Sequence, residues 1–136
     1  MTATDPDGTA PNNALTYSLG GTDAGSFNIN GSTGAVTLKA SANYETKSSY
    51  SINVVATDQR SLSASKAVTI NVTNVNEAPT ITSGATGTVA ENAATSTVVY
   101  QASAADPDAG NTVSYSLSGT DATAFAINAS TGAVTL

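Results

Sequence analysis

Residues 15–38 read LTYSLGGTDAGSFNINGSTGAVTL, and residues 113–136 read VSYSLSGTDATAFAINASTGAVTL. The stretches are copies of one another. Tyr17 aligns with Tyr115 at an offset of 98 (115 − 17), and Phe27 with Phe125, Ile29 with Ile127, Gly34 with Gly132 and Leu38 with Leu136 keep that offset. Upstream, Ala3-Thr4-Asp5-Pro6-Asp7 matches Ala104-Ala105-Asp106-Pro107-Asp108 at an offset of 101 (106 − 5), so the loop between has lost three residues in the second copy. Strands hold register because a slip of one residue turns every side chain to the opposite face, whereas a surface loop absorbs the deletion. A repeat of about a hundred residues therefore runs through this chain about one and a third times.

Within each copy the pattern has a period of two. Leu15, Tyr17 and Leu19 alternate with Thr16 and Ser18, and Tyr50, Ile52, Val54 and Ala56 alternate with a set that includes Ser51, Asn53 and Thr57. Val68, Ile70 and Val72 do the same, and Val113, Tyr115 and Leu117 repeat the first pattern. Such alternation predicts half-buried strands, and the Asp-Pro, Gly-Gly, Asn-Gly and Thr-Gly pairs between them predict close turns. No stretch has sustained helical spacing. The expected fold is an all-β sandwich or barrel, with Tyr17, Tyr115, Phe27 and Phe125 at core positions. A boundary is expected near Asn74-Val75-Asn76-Glu77-Ala78-Pro79, where proline ends a strand and an acidic, amide-rich run suits a linker.

Composition narrows the function. The chain has 136 residues, with 10 acidic against 4 basic side chains and a net charge of −6, a balance that repels nucleic acid and anionic membranes while attracting divalent cations. With no cysteine and no histidine, the usual ligands of zinc and haem and the usual general base of hydrolases are missing. The serines lack a Gly-x-Ser-x-Gly elbow as well. Carboxylate pairs could imitate a glycosidase, but aromatics are 5% of the chain and tryptophan is absent, so sugar-stacking platforms are scarce. No enzymatic activity is expected. No run of about 18 apolar residues exists, so no membrane insertion is expected. The N-terminal residues lack the basic start and apolar stretch of a signal peptide, and any export is expected to be directed from elsewhere.

Several short motifs occur in a fixed order. They are Ala3-x-Asp5-Pro6-Asp7 for an A-x-D-x-D pattern, Leu15-Thr16-Tyr17-Ser18-Leu19, Phe27-x-Ile29 and Thr33-Gly34-x-Val36. Tyr44-Glu45, Tyr50-x-Ile52-x-Val54-x-Ala56-x-Asp58, Asn74-Val75-Asn76-Glu77-Ala78-Pro79 and Ala90-Glu91-Asn92 follow. In this order the sequence resembles the cadherin repeat family, in its bacterial cadherin-like form. The resemblance implies a Greek-key, cadherin-like (Ig-like) β-sandwich. On that mapping residues 1–76 are one repeat lacking its first strand, and residues 77–136 are the start of the next, lacking its last two strands.

The resemblance also implies calcium bound between successive repeats, by clustered oxygens of the kind a hard ion prefers. Carried over residue by residue, the junction within this chain would use Glu45, Asn74, Asn76, Glu77, Asp106 and Asp108. Asp5, Asp7 and Asp58 would face a junction before Met1, and Glu91 one after Leu136. Asn43 and Asn74 stand where the family pattern carries aspartates, and the linker is one residue shorter, so the site charge and the affinity are expected to be reduced.

The function expected from this resemblance is that of a structural, calcium-rigidified tandem repeat of an extracellular or cell-surface bacterial adhesin, with neighbouring repeats or other copies of itself as partners. Two alternatives are a filament subunit built by strand exchange and a carbohydrate-binding module of a biofilm matrix protein, with polysaccharide as its partner. The second copy would display Val113, Tyr115, Leu117, Phe125, Ile127, Val134 and Leu136 on a face that its last two strands should cover.

Overall fold

The computed structural model describes residues 14–136, and its strands lie where alternating residues find a backbone to pair with. In the first unit, which ends at Val75, these are β1 (Thr16–Gly20), β2 (Phe27–Ile29), β3 (Val36–Leu38), β4 (Ser49–Thr57) and β5 (Ser63–Asn71). A single 3-10 turn, Ala24–Ser26, leads into β2. Strands β1, β4 and β5 form an antiparallel sheet with β4 in the centre, while β2 and β3 pair as a hairpin. The register sets Leu19 opposite Val54 and Ile52 opposite Val68. One face of β4 thus presents Tyr50, Ile52 and Val54 inward.

The core of this unit forms where β4 meets the hairpin. Phe27, Ile52 and Val54 are buried, with relative exposures of 4%, 1% and 6%, and Tyr17, Leu19, Ile29, Val36, Val68 and Ile70 pack around them. The Phe27 ring meets Tyr50 edge to face, with centroids 5.3 Å apart and planes at 86°, a geometry that the ring quadrupole favours. On the polar side Asp23, just before the 3-10 turn, ties that turn to β4. Its carboxylate accepts the Ser51 N–H at 2.7 Å and the Lys47 ammonium at 2.7 Å, and its own N–H donates to the Ser51 carbonyl at 3.1 Å. The Lys47 hydrogen bond, followed by that from Ser51, holds the Asp23 carboxyl below the usual carboxylate range.

The second unit, Asn76–Leu136, contains β6 (Thr80–Ile81), β7 (Val98–Gln101), β8 (Ala104–Ala105), β9 (Ala126–Ile127) and β10 (Ala133–Thr135). Strands β7, β10 and β9 make one antiparallel sheet, and β6 pairs with β8. Local geometry repeats closely between the copies. Asn30 Oδ1 accepts the N–H groups of Ser32 and Thr33 at 3.0 Å, and Asn128 Oδ1 accepts those of Ser130 and Thr131 at 3.0 Å. The Asn-x-Ser pattern at both places is thus a turn device, in which the amide side chain substitutes for a backbone acceptor.

The copies differ where pairing is long-range. The strand expected over Val113, Tyr115 and Leu117 does not form: residues 111–118 carry no strand assignment, although Tyr115 N–H donates to the Ala129 carbonyl at 2.9 Å just as Tyr17 N–H donates to Gly31 at 2.8 Å. In the first unit β1 is paired with β4, and residues 113–117 have no such pairing among the described residues. Phe125, Leu117 and Leu136 are 37%, 36% and 37% exposed, as expected of the second copy's open face, whereas Val134, expected on it as well, is buried at 5%. Val134 is the buried apolar residue of this unit.

Two outcomes test this account of the first unit. Ile52→Ala is expected to cost about 2–5 kcal/mol, read as a lower urea midpoint with an unchanged m-value. Asp23 has a folded pKa below its unfolded value of about 3.9, so its contribution is present above that pH and is lost as pH falls through the folded pKa. Asp23→Asn should therefore lower the thermal midpoint near pH 6, and the gap from wild type should narrow as pH falls below the unfolded value of about 3.9.

Candidate metal centre

Proline at 107 restricts the backbone between two aspartates, and the loop Asp106-Pro107-Asp108 is drawn in by its own side chains. The Asp108 N–H donates to Asp106 Oδ1 at 2.9 Å, and the Asn111 N–H donates to the Asp108 carbonyl at 3.3 Å. The Asn111 side chain then bridges, its Nδ2 donating to Asp106 Oδ1 at 3.3 Å and to Asn76 Oδ1 at 3.2 Å. Asp108 is buried, with 8% relative exposure, and its Oδ2 accepts the Glu77 N–H at 2.8 Å. A charge-assisted bond of this kind is about twice as strong as a neutral one. It fastens the segment at the start of the unit to the loop.

The result is a cluster of oxygen donors from Asn76, Glu77, Asp106, Asp108 and Asn111. The Glu77 and Asp108 carboxylates offer oxygens within 4.8 Å of each other, a separation one ion can bridge, since Ca²⁺ binds oxygen at about 2.3–2.6 Å. The donor set fits a hard cation: it holds carboxylates and amides and no nitrogen or sulfur ligand. It offers nothing to a transition metal that prefers imidazole or thiolate.

The structure brings Asn76, Glu77, Asp106 and Asp108 together within the second unit. Glu45 and Asn74 are exposed and belong to the first unit, Glu45 in the turn that Asn43 organises by accepting the Thr46 N–H at 2.7 Å. Asp58 ends β4 and shapes the turn to β5, with its Oδ1 accepting the N–H groups of Arg60 and Leu62 at 2.8 Å. Glu91 is exposed beside Asn92 in the second unit. Asp5 and Asp7 lie outside the described residues. Asn111 was not singled out from sequence, yet the repeat carried a signal for it: Asn13-Ala14-Leu15-Thr16-Tyr17 aligns with Asn111-Thr112-Val113-Ser114-Tyr115.

The fold has counterparts among known proteins. Residues 1–73 match the family model of the cadherin domain. The chain belongs to the cadherin domain family. It is 32% identical to Protocadherin Fat 4 of Mus musculus over 142 aligned residues, covering 99% of this chain and 3% of that protein. It is 38% identical to Protocadherin-like wing polarity protein stan of Drosophila melanogaster over 122, covering 81% of this chain and 3% of that protein. The chain thus spans about 3% of the length of these curated relatives. Among solved structures, human protocadherin-24 EC1-2 form II aligns with a TM-score of 0.74 and 26% identity over 97% of this chain and 63% of that one. Mouse cadherin-23 EC22-24 aligns with a TM-score of 0.62 and 30% identity over 90% of this chain and 42% of that one. The all-β chain therefore has the Greek-key sandwich fold of cadherin repeats. Cadherin domains are extracellular adhesion repeats that generally bind Ca²⁺. Among the described residues no helix is long and apolar enough to cross a membrane.

The Asp108–Glu77 link yields a prediction about local stability. Asp108→Ala removes the acceptor and leaves the Glu77 N–H partly buried, at a cost of about 1–3 kcal/mol, and amide exchange at Glu77 should accelerate accordingly. Asp108→Asn keeps a carbonyl oxygen in place and should leave most of that protection intact.

Proposed function

We propose that this chain is a structural, non-enzymatic segment of a large extracellular surface protein, an adhesin of bacterial type, in which tandem repeats form a stalk and Ca²⁺ stiffens the joint between them. The observation that carries the reading is the buried Asp108 carboxylate gripping the N–H of Glu77. It holds the segment entering the second unit against an all-oxygen donor cluster. In this proposal residues 1–76 are a repeat without its first strand and residues 77–136 the start of the next. Glu45 and Asn74 of the first repeat add their oxygens to Asn76, Glu77, Asp106 and Asp108 when the ion binds. Asp5, Asp7 and Asp58 serve the preceding junction, and Glu91 the following one.

The ion would act mechanically. Its charge lets carboxylates that otherwise repel one another share one site, and ligands drawn from both sides of the linker remove the linker's freedom. Carboxylates number fewer here than in the family pattern, with Asn43 and Asn74 in the places of aspartates. Affinity should accordingly lie at the weak end for calcium sites, about 10⁻⁴–10⁻³ M as in extracellular modules.

Calorimetry and thermal melting test this directly. Ca²⁺ at millimolar concentration should give binding heat and raise the melting midpoint, chelator should reverse both, and Glu77→Gln and Glu45→Gln should each weaken binding several-fold. Absence of heat at 10 mM Ca²⁺ would overturn the reading. Heat from a polysaccharide that survives chelation would replace it with the carbohydrate-binding module.

A further inference from the structure

The hairpin of β2 and β3 turns through Asn30-Gly31, the one Asn-Gly pair in the sequence. Asn30 Oδ1 reaches past Gly31 to accept the N–H groups of Ser32 and Thr33, each at 3.0 Å. The main chain around it is fixed as well. Asn30 N–H donates to the Ala35 carbonyl, Gly34 N–H to the Asn30 carbonyl and Tyr17 N–H to the Gly31 carbonyl, all at 2.8 Å. The Gly31 N–H itself donates to no described residue, and Asn30 and Gly31 are both exposed to water.

Two N–H groups aimed at one amide oxygen do more than close a turn. They draw electrons from Asn30 Cγ, and they stand 3.0 Å from the oxygen on which charge gathers when a nucleophile adds to that carbon. That is the arrangement of an oxyanion hole. The Gly31 nitrogen is the adjacent nucleophile, since its attack on Cγ closes a five-membered ring, and glycine has no side chain to hinder the approach. The second copy keeps the two donors and changes the nucleophile. Asn128 Oδ1 accepts the N–H groups of Ser130 and Thr131 at 3.0 Å, but the residue that follows it is Ala129.

We propose that Asn30-Gly31 is a self-modifying site, at which the folded turn promotes conversion of Asn30 to aspartate and isoaspartate. The Gly31 nitrogen gives its proton to solvent hydroxide and bonds to Asn30 Cγ, and the Ser32 and Thr33 N–H groups hold the negative charge that develops on Oδ1. The Cγ–Nδ2 bond then breaks, and Nδ2 takes a proton from water and leaves as ammonia. A succinimide remains. Water opens it at Cγ to give aspartate, or at the main-chain carbonyl carbon to give isoaspartate. In sum one amide and one water become one carboxylic acid and one ammonia, with nothing oxidised or reduced. Isoaspartate routes the main chain through the former side chain, which adds a methylene between β2 and β3 and takes the carbonyl used by Gly34 off the main chain. Either product adds one negative charge to a chain at −6. The hairpin thus carries a slow, irreversible timer that needs no metal and no partner.

The test holds the full chain at mildly alkaline pH and follows Asn30 by peptide mass spectrometry, beside a synthetic peptide of residues 27–36 under the same conditions. Asn30 should convert about tenfold faster in the folded chain than in the peptide. That is below the roughly 10²–10³ that one such donor supplies in a water-excluded site, because this turn is open to water. An equal or lower rate in the folded chain would overturn the proposal. A Cβ at residue 31 would meet only the Tyr17 carbonyl oxygen, at 3.7 Å, so Gly31→Ala should fold normally and slow conversion about tenfold by crowding the nucleophile. Ala129→Gly supplies the missing half of the second site, and Asn128 should then convert faster than in a peptide of residues 125–134 carrying the same change. An Asn128 that outlasts its peptide would overturn the role given to the two N–H donors. In the converted chain, amide exchange at Tyr17 and Gly34 should accelerate several-fold as their acceptors move, and unchanged exchange there would overturn the timer.

Discussion

The antiparallel pairing of β4 with β1 is the constraint on which the first unit rests. It makes a strand of residues that would otherwise be merely extended. It also lays Ile52 and Val54 over Phe27, and it gives Asp23 the Ser51 N–H and the Lys47 ammonium to hold. The second unit serves as its internal control. Asp121 and Phe125 reproduce the turn and the backbone angles of Asp23 and Phe27, while residues 113–117 carry no strand and Leu117 and Phe125 are more exposed than Leu19 and Phe27. Local sequence therefore specifies the turns here, and long-range pairing specifies the sheet.

This division explains what could be read from sequence. The alternation of Tyr50, Ile52 and Val54 gave away a strand because a half-buried sheet imposes a period of two. The turns at Thr33-Gly34 and Thr131-Gly132 were legible because Thr-Gly pairs mark close turns, whereas the Asn30 and Asn128 side-chain bonds that hold them emerged with the structure. Residues 113–117 carry the alternation of a strand without being one, since pattern reports which face is apolar and not whether a neighbour exists to bond with. Phe125 was legible both as a core position of the repeat and as a side chain left on an open face of the second copy. Within the candidate site, Asp106 and Asp108 announced themselves as carboxylates flanking a proline. Asn111 did not, because a bridging amide has no charge signature and is marked only by its place in the repeat.

The linker region shows how a metal-ready arrangement can be held by hydrogen bonds alone. Asp108 accepts from Glu77, Asp106 accepts from Asp108 and Asn111, and Asn111 reaches Asn76. Each bond fixes an oxygen donor's backbone relative to the next, so a cation that enters need order few side chains, and less of its binding energy is lost to ordering them. The pattern also accounts for the choice of amides among the carboxylates. Asn76 and Asn111 donate as well as accept, and so separate negative charges that would repel one another.

The distance in sequence between β1 and β4 has a consequence for the life of the chain before it is folded. The turn between β2 and β3 closes within a few residues, but β1 pairs with residues 33 (53 − 20) to 41 (57 − 16) positions later. At a synthesis rate of about 5–20 residues per second, the nascent β1 edge waits about 2–8 s for its partner. Throughout that interval its backbone and Leu19 are open to any neighbouring strand, including the identical edge on an adjacent ribosome. Uncharged Thr16 and Ser18 on its outer side offer no repulsion to such a contact, so in a tandem array of this family the speed of translation itself becomes a determinant of misassembly.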